Sequence, residues 1–172
     1  MQRRLYLLRH AKSSWDDEAR DDHDRDLSAR GRQAAERMGA FCGAQGIAPA
    51  LVLCSTARRA RETLARLVPH LAATGRIEFE EGLYLAGAGA LLRRLRRIED
   101  QIGSVMVIGH NPGLQEFAVQ LCGTGDTEAL AKLRGKYPTA ALAEILLPID
   151  RWRDANADGG RLVRFVVPRD LP

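Results

Sequence analysis

The chain has 172 residues, 45% of them hydrophobic, with 26 Lys and Arg against 22 Asp and Glu, enough to bury one core without disulfide or metal staples. Cys42, Cys54 and Cys122 are an odd, widely spaced set that argues against a disulfide framework or zinc knuckle, and the first apolar run breaks too early for a signal peptide, while none approaches the roughly 18 residues of a membrane helix. A net charge of +4 with few aromatics and interspersed acids fits an arginine-rich solvated surface better than a nucleic-acid groove, so the expectation is one cytoplasmic domain over residues 1–172 with no nucleic-acid or membrane partner.

Arg3 to Leu8 reads as a buried strand that ends abruptly in Arg9 and His10. Asp16 to Asp26 is crowded with carboxylates, has no period and is expected to be a solvated loop. Asp22, Asp24 and Asp26 alternate as in a calcium loop, but Leu27 replaces the required glycine and Gln33 the closing glutamate. Ser28 is a good N-cap for a helix carrying Ala34, Ala35, Met38, Phe41 and Cys42, ended by Gly43 and Gly46. Leu51 to Cys54 is a second strand. Ser55 and Thr56 open a helix whose apolar face is Ala57, Ala60, Leu64, Leu67, Val68 and Leu71.

Arg58, Arg59 and Arg61 crowd the first turn of that helix, where the dipole disfavours cations. An anion between the arginines and the helix N-terminus would explain them. Arg76 to Phe79 is a short strand, and Leu91, Leu92, Leu95 and Ile98 mark a helix. Val105 to Gly109 is a strand running into His110, Asn111, Pro112 and Gly113, and a helix follows with Leu114, Phe117, Ala118 and Leu121 inward. Thr139 to Leu147 and Arg161 to Val167 are strands expected to pair as a hairpin across the turn signal Asp158, Gly159, Gly160. Strands alternating with helices predict an α/β fold, a three-layer αβα sandwich with a mostly parallel central sheet.

Ligands of open α/β sheets bind outside the carboxyl ends of the strands. Three such ends here deliver polar groups: Arg9 with His10, Ser55 to Arg59, and His110 to Gly113. Each alone is a weak signal. Convergence of all three from distant parts of the chain points to an anion site.

The motifs LLRHAKSSW, LSARGRQAA, CSTARRARET, LYLAG and VIGHNPGL, in this order, resemble those of the histidine phosphatase (phosphoglycerate mutase-like) superfamily. The compact length, the GHNPG form and the KYPTAALA stretch, Lys136 to Ala143, are most similar to its SixA-like phosphohistidine phosphatase branch. The resemblance implies that His10 is the nucleophile, forming a covalent phosphohistidine, that Arg9 holds phosphate oxygens, and that His110 is the second pocket histidine. It places a second arginine midway between Ser55 and Thr63, which favours Arg59 over Arg58. Ser13, Ser14, Arg58 and Asn111 are further candidates for substrate binding.

Phosphoryl transfer needs positioning and stabilisation of charge spread over the equatorial oxygens, which arginine forks supply bidentately. No metal or cofactor is called for, since cationic side chains already provide the field. Arg9 and Arg59 are expected to keep His10 neutral by disfavouring a further positive charge. Ala11 and Lys12 stand where larger relatives carry glycine and then glutamate or glutamine, and Lys12 is expected to be solvated.

The carboxylic acid that protonates an alkoxide leaving group in phosphoester-cleaving relatives has no clear counterpart. Glu80 and Glu81 are the nearest candidates. Imidazole as leaving group needs such an acid less, which favours a phosphohistidine-bearing protein as partner over a small phosphorylated molecule. An inactive phosphoprotein-binding module is the alternative of another class, and the presence of both histidines argues against it. A cysteine-based phosphatase would need five residues between cysteine and arginine, whereas Cys54 and Arg59 are separated by four.

Overall fold

The computed structural model describes residues 1–172. In chain order it contains β1 (Arg3–Arg9), α1 (Ala29–Ala44), β2 (Leu51–Ser55), α2 (Arg58–Leu67), β3 (Arg76–Glu80), α3 (Ala88–Leu95) and β4 (Ser104–Gly109). α4 (Gly113–Leu121), β5 (Cys122–Gly125), α5 (Thr127–Gly135), β6 (Leu142–Leu147) and β7 (Gly160–Val166) follow. The seven strands form one sheet in the order β3-β2-β4-β1-β6-β7-β5. Only β6 runs against the others.

The central strands are apolar on both faces because helices cover both. Leu5 and Leu7 of β1 and Val105 and Val107 of β4 enter a core beneath α3, α4 and α5. Tyr6, Leu8, Met106 and Ile108 enter a second core beneath α1 and α2. This is the αβα sandwich with a mostly parallel sheet. No helix is long and apolar enough to cross a membrane.

The structure departs from the sequence expectation most at α2, β6 and the segment between α4 and β6. α2 starts at Arg58 with Ala57 as its N-cap, because the Ser55 hydroxyl, instead of capping the helix, faces His110. β6 starts at Leu142, since Ala140 takes a left-handed φ of 60° and gives its N–H to the carbonyls of Arg9 and His10. The β5 edge strand and α5 had no counterpart in the expectation, although Asp126 caps α5 by accepting from the Ala129 N–H.

Candidate active site

Register brings the two histidines together. β1 and β4 are parallel neighbours with Arg9 opposite Gly109, so His10 and His110 leave adjacent strands side by side. Their ring centroids lie 5.1 Å apart, with the planes tilted by 51°. β2 lies on the other flank of β4 and feeds α2, which delivers Arg59 to the same place.

Arg59 is the centre of the cluster. Its Nε donates to His10 Nε2 at 3.3 Å, and its Nη2 faces His110 Nδ1 at 3.4 Å. Guanidinium has no acceptor, so both facing ring nitrogens must be unprotonated. The remaining ring protons follow. His10 Nδ1–H donates to the Ala11 carbonyl at 2.7 Å, and His110 Nε2–H donates to Ser55 Oγ at 2.7 Å. His10 is thereby held in the tautomer whose Nε2 lone pair faces Arg59.

The chemistry of the surroundings agrees. Burial, more than the cations, pushes His10 down to about 3. The Ala11 carbonyl opposes the shift, while His110, Arg59 and Arg9 add to it. His110 is pushed down to about 4, again first by burial and then by Arg59. Arg9 and Arg59 do disfavour a charged His10, as expected, but enclosure of the ring is the larger cause.

Arg9 Nη1 donates to the Tyr137 carbonyl at 2.8 Å, and its Nε is a buried donor with no partner in the protein. Such an atom suits an anionic oxygen. Asn111 Nδ2 also donates to the Tyr137 carbonyl, at 3.2 Å, and Asn111 Oδ1 is buried without a partner.

The other candidates make other contacts. Arg58 turns to solvent and pairs with Glu62 at 2.7 Å. Ser14 Oγ accepts from the Asp16 N–H at 3.2 Å, and Ser14 lines a separate small depression with Asp16, Asp17, Arg20, Arg25 and Asp26. Ser13 forms a backbone bridge with Leu27. Glu80 is gripped by Arg94 at 2.6 to 2.9 Å, and Glu81 is exposed.

Two residues of the cluster went unrecognised in the sequence. Asp22, from the acidic loop, accepts from Arg59 through its carbonyl at 2.6 Å and its carboxylate at 3.0 Å. Tyr84 donates to the same carboxylate at 2.5 Å and sets its ring edge-on to His110 at 5.4 Å. Burial alone would raise the Asp22 carboxyl. Hydrogen bonds from Tyr84 and Arg59 outweigh that and hold it below the usual range. Of the arginines at the start of α2, Arg59 thus meets a carboxylate of the acidic loop, while Arg58 meets Glu62 of its own helix.

Thr63, fully buried one turn along α2, donates to the Arg59 carbonyl at 2.7 Å and accepts from the Ala11 N–H at 3.0 Å. It ties the His10 loop to the helix that carries Arg59. In Thr63→Val the Ala11 N–H is orphaned, and stability should fall by about 1–3 kcal/mol. Urea unfolding checks this.

The buried histidines also set a pH dependence of stability. From 6.5 down to about 3 for His10, and to about 4 for His110, the unfolded chain takes up protons that the folded chain refuses. Stability therefore falls as pH drops through that window, by up to about 1.4 kcal/mol per pH unit for each ring. Denaturant titrations between about pH 7 and pH 4 should show this slope, shallower in His10→Gln. An unchanged slope in that variant would mean that the His10 ring titrates freely.

A sandwich of this topology, with Arg-His at the end of its first strand and a second histidine on the neighbouring strand, has the form of a histidine phosphatase. The chain belongs to the histidine phosphatase superfamily (branch 1), whose family model matches residues 5–91, just over half of it. It is 35% identical to a Mycobacterium tuberculosis protein of uncharacterized role, over 94% of this chain and 100% of that one. Its structure is similar to that of SixA from Nakamurella multipartitia (TM-score 0.84, 27% identity, covering 98% of this chain and 97% of the other). It is also similar to SixA from Agrobacterium tumefaciens (TM-score 0.80, 29% identity, covering 96% and 98%).

Proposed function

We propose that the protein is a phosphatase that removes phosphate from phosphohistidine on a protein, through a phosphorylated His10. The observation that carries this reading is the tautomer of His10: Nδ1–H is committed to the Ala11 carbonyl and the Nε2 lone pair faces the cluster. Nε2 attacks phosphorus, and the bond from phosphorus to the substrate imidazole breaks, the electron pair leaving on a ring already protonated at its other nitrogen. Arg59 exchanges its long contact with His10 for phosphate oxygens, while Arg9 Nε and His110 take others. Water then attacks the phosphorylated His10, releasing inorganic phosphate and restoring the neutral ring.

The preference for phosphohistidine rests on the leaving group. An alkoxide needs a proton in the transition state, whereas imidazole leaves as a neutral base. Glu80 is occupied by Arg94, and Asp22 is held ionised by Arg59 and Tyr84, so neither is poised as an acid. The SixA relatives have phosphohistidine phosphatase activity ascribed to them, which points the same way. The test is a comparison of kcat/KM for a phosphohistidine peptide and for a generic phosphoester. The phosphohistidine peptide should be hydrolysed faster, and Glu80→Gln should leave that rate unchanged. Faster phosphoester cleavage that is lost in Glu80→Gln or Glu81→Gln would favour the small-phosphoester reading.

A further inference from the structure

A groove of about 710 Å³ opens beside the site, and Arg9 lies in the wall between the two. Its cationic lining is Arg9, Lys12, Arg30, Lys132, Lys136 and Arg169, with Asp170 as the one acid. These cations come from four separate places: the end of β1 and the residues just after it, the first turn of α1, the C-terminal end of α5, and the turn after β7. All but Arg9 are exposed. Lys132 pairs with Glu128 at 3.0 Å and Arg169 loosely with Asp170 at 3.8 Å, and Lys12, Arg30 and Lys136 have no carboxylate partner. Gathering like charges with so few counter-charges works against the compact state.

The arrangement does not suit a second small phosphate. Such a ligand is held where buried guanidinium groups converge, as Arg9 and Arg59 do. Flexible exposed heads spread along an open groove match an anion whose charges are also spread. Partly buried Phe165 also lines the groove, with Val167 and Pro168 buried beneath its surface, so the accessible chemistry is predominantly cationic and an acidic polypeptide is the complementary partner.

We propose that this groove docks an acidic segment of the phosphorylated partner protein and so presents its phosphohistidine to His10. The proposal rests on the phosphohistidine reading above and extends it to the choice of partner. Attraction between the segment and the groove speeds encounter and is screened by salt.

The experiment uses the full chain and two phosphohistidine peptides of equal length, one flanked by Asp and Glu, the other by Ser and Gln, with free phosphohistidine as the small substrate. At low salt the acidic peptide should show a kcat/KM higher by about tenfold or more. The advantage should shrink toward unity near about 1 M salt, where the Debye length is about 3 Å. In the double variant Arg30→Glu, Lys136→Glu the advantage should disappear or reverse, while hydrolysis of free phosphohistidine is unchanged. Glutamate at position 30 sits in the first turn of α1, where the dipole favours it.

Equal rates for the two peptides in the wild type would overturn the docking proposal and leave the phosphatase reading standing. No turnover of any phosphohistidine substrate would instead sink the reading of the function. In that case, binding of the unphosphorylated acidic peptide, followed by fluorescence anisotropy, tests the groove alone, and no binding there would sink the docking proposal too. A short single-stranded DNA that competes better than the acidic peptide would also overturn it, by pointing to nucleic acid.

Discussion

Replacing His10 by alanine is expected to abolish turnover, by about 10⁴-fold or more, because the group proposed to accept the phosphoryl is removed outright. Incubation with labelled substrate and an alkaline quench, which preserves phosphorus–nitrogen bonds, should leave label on the wild-type chain and none on His10→Ala. His110→Ala should slow turnover yet still carry label at His10, since His110 touches the cluster through Nδ1 and is pinned by Ser55 through Nε2. The same substitution at position 10 removes a buried ring that resists protonation, so His10→Ala should lose less stability below about pH 6 than the wild type does. Loss of activity with that pH response separates a missing nucleophile from a damaged fold. Label persisting on His10→Ala would remove His10 from the chemistry.

The outline of the cluster was visible in the residues because β1 and β4 each end a continuous apolar run in a cationic or imidazole side chain. β1 and β4 are buried on both faces, and Arg9 with His10, and likewise His110, mark where their apolar runs end. Which ends are neighbours depends on strand order, a long-range property that alternation of strands and helices only suggests. Asp22 was hidden for a different reason. It is one of many carboxylates in a loop without period, and its selection depends on how that loop crosses the start of α2 to meet Arg59 and Tyr84. Ser14 shows the same dependence on the path of that loop. Closeness to His10 in the chain says nothing about side-chain direction once the backbone turns to pair Ser14 N–H with the Asp26 carbonyl.

Arg59→Ala is expected to lower kcat by about 10²–10³, the usual penalty for losing a preorganised donor at developing charge. One planar group here meets four acceptors: His10 Nε2, His110 Nδ1, and the carbonyl and carboxylate of Asp22. Arg59→Lys should recover little, because a single ammonium cannot reproduce a fork that spans two rings and a loop. The fold should survive, since the Asp22 carboxylate left behind is 48% exposed and can be solvated. Arg58 supplies the control. It is solvent-facing and bound to Glu62, and exposed pairs of this kind contribute about 0–1 kcal/mol, so Arg58→Ala should leave kcat within about twofold. Arg59 also holds both histidines toward neutrality. Its removal should therefore move the acid limb of the pH–rate profile upward as well as lowering the plateau, by less than full exposure would, because burial remains the larger cause. If Arg58→Ala were the damaging change, or Arg59→Ala left both plateau and limb in place, the arginine at the centre of the cluster would be a structural tie between α2 and the acidic loop, with no part in holding phosphate.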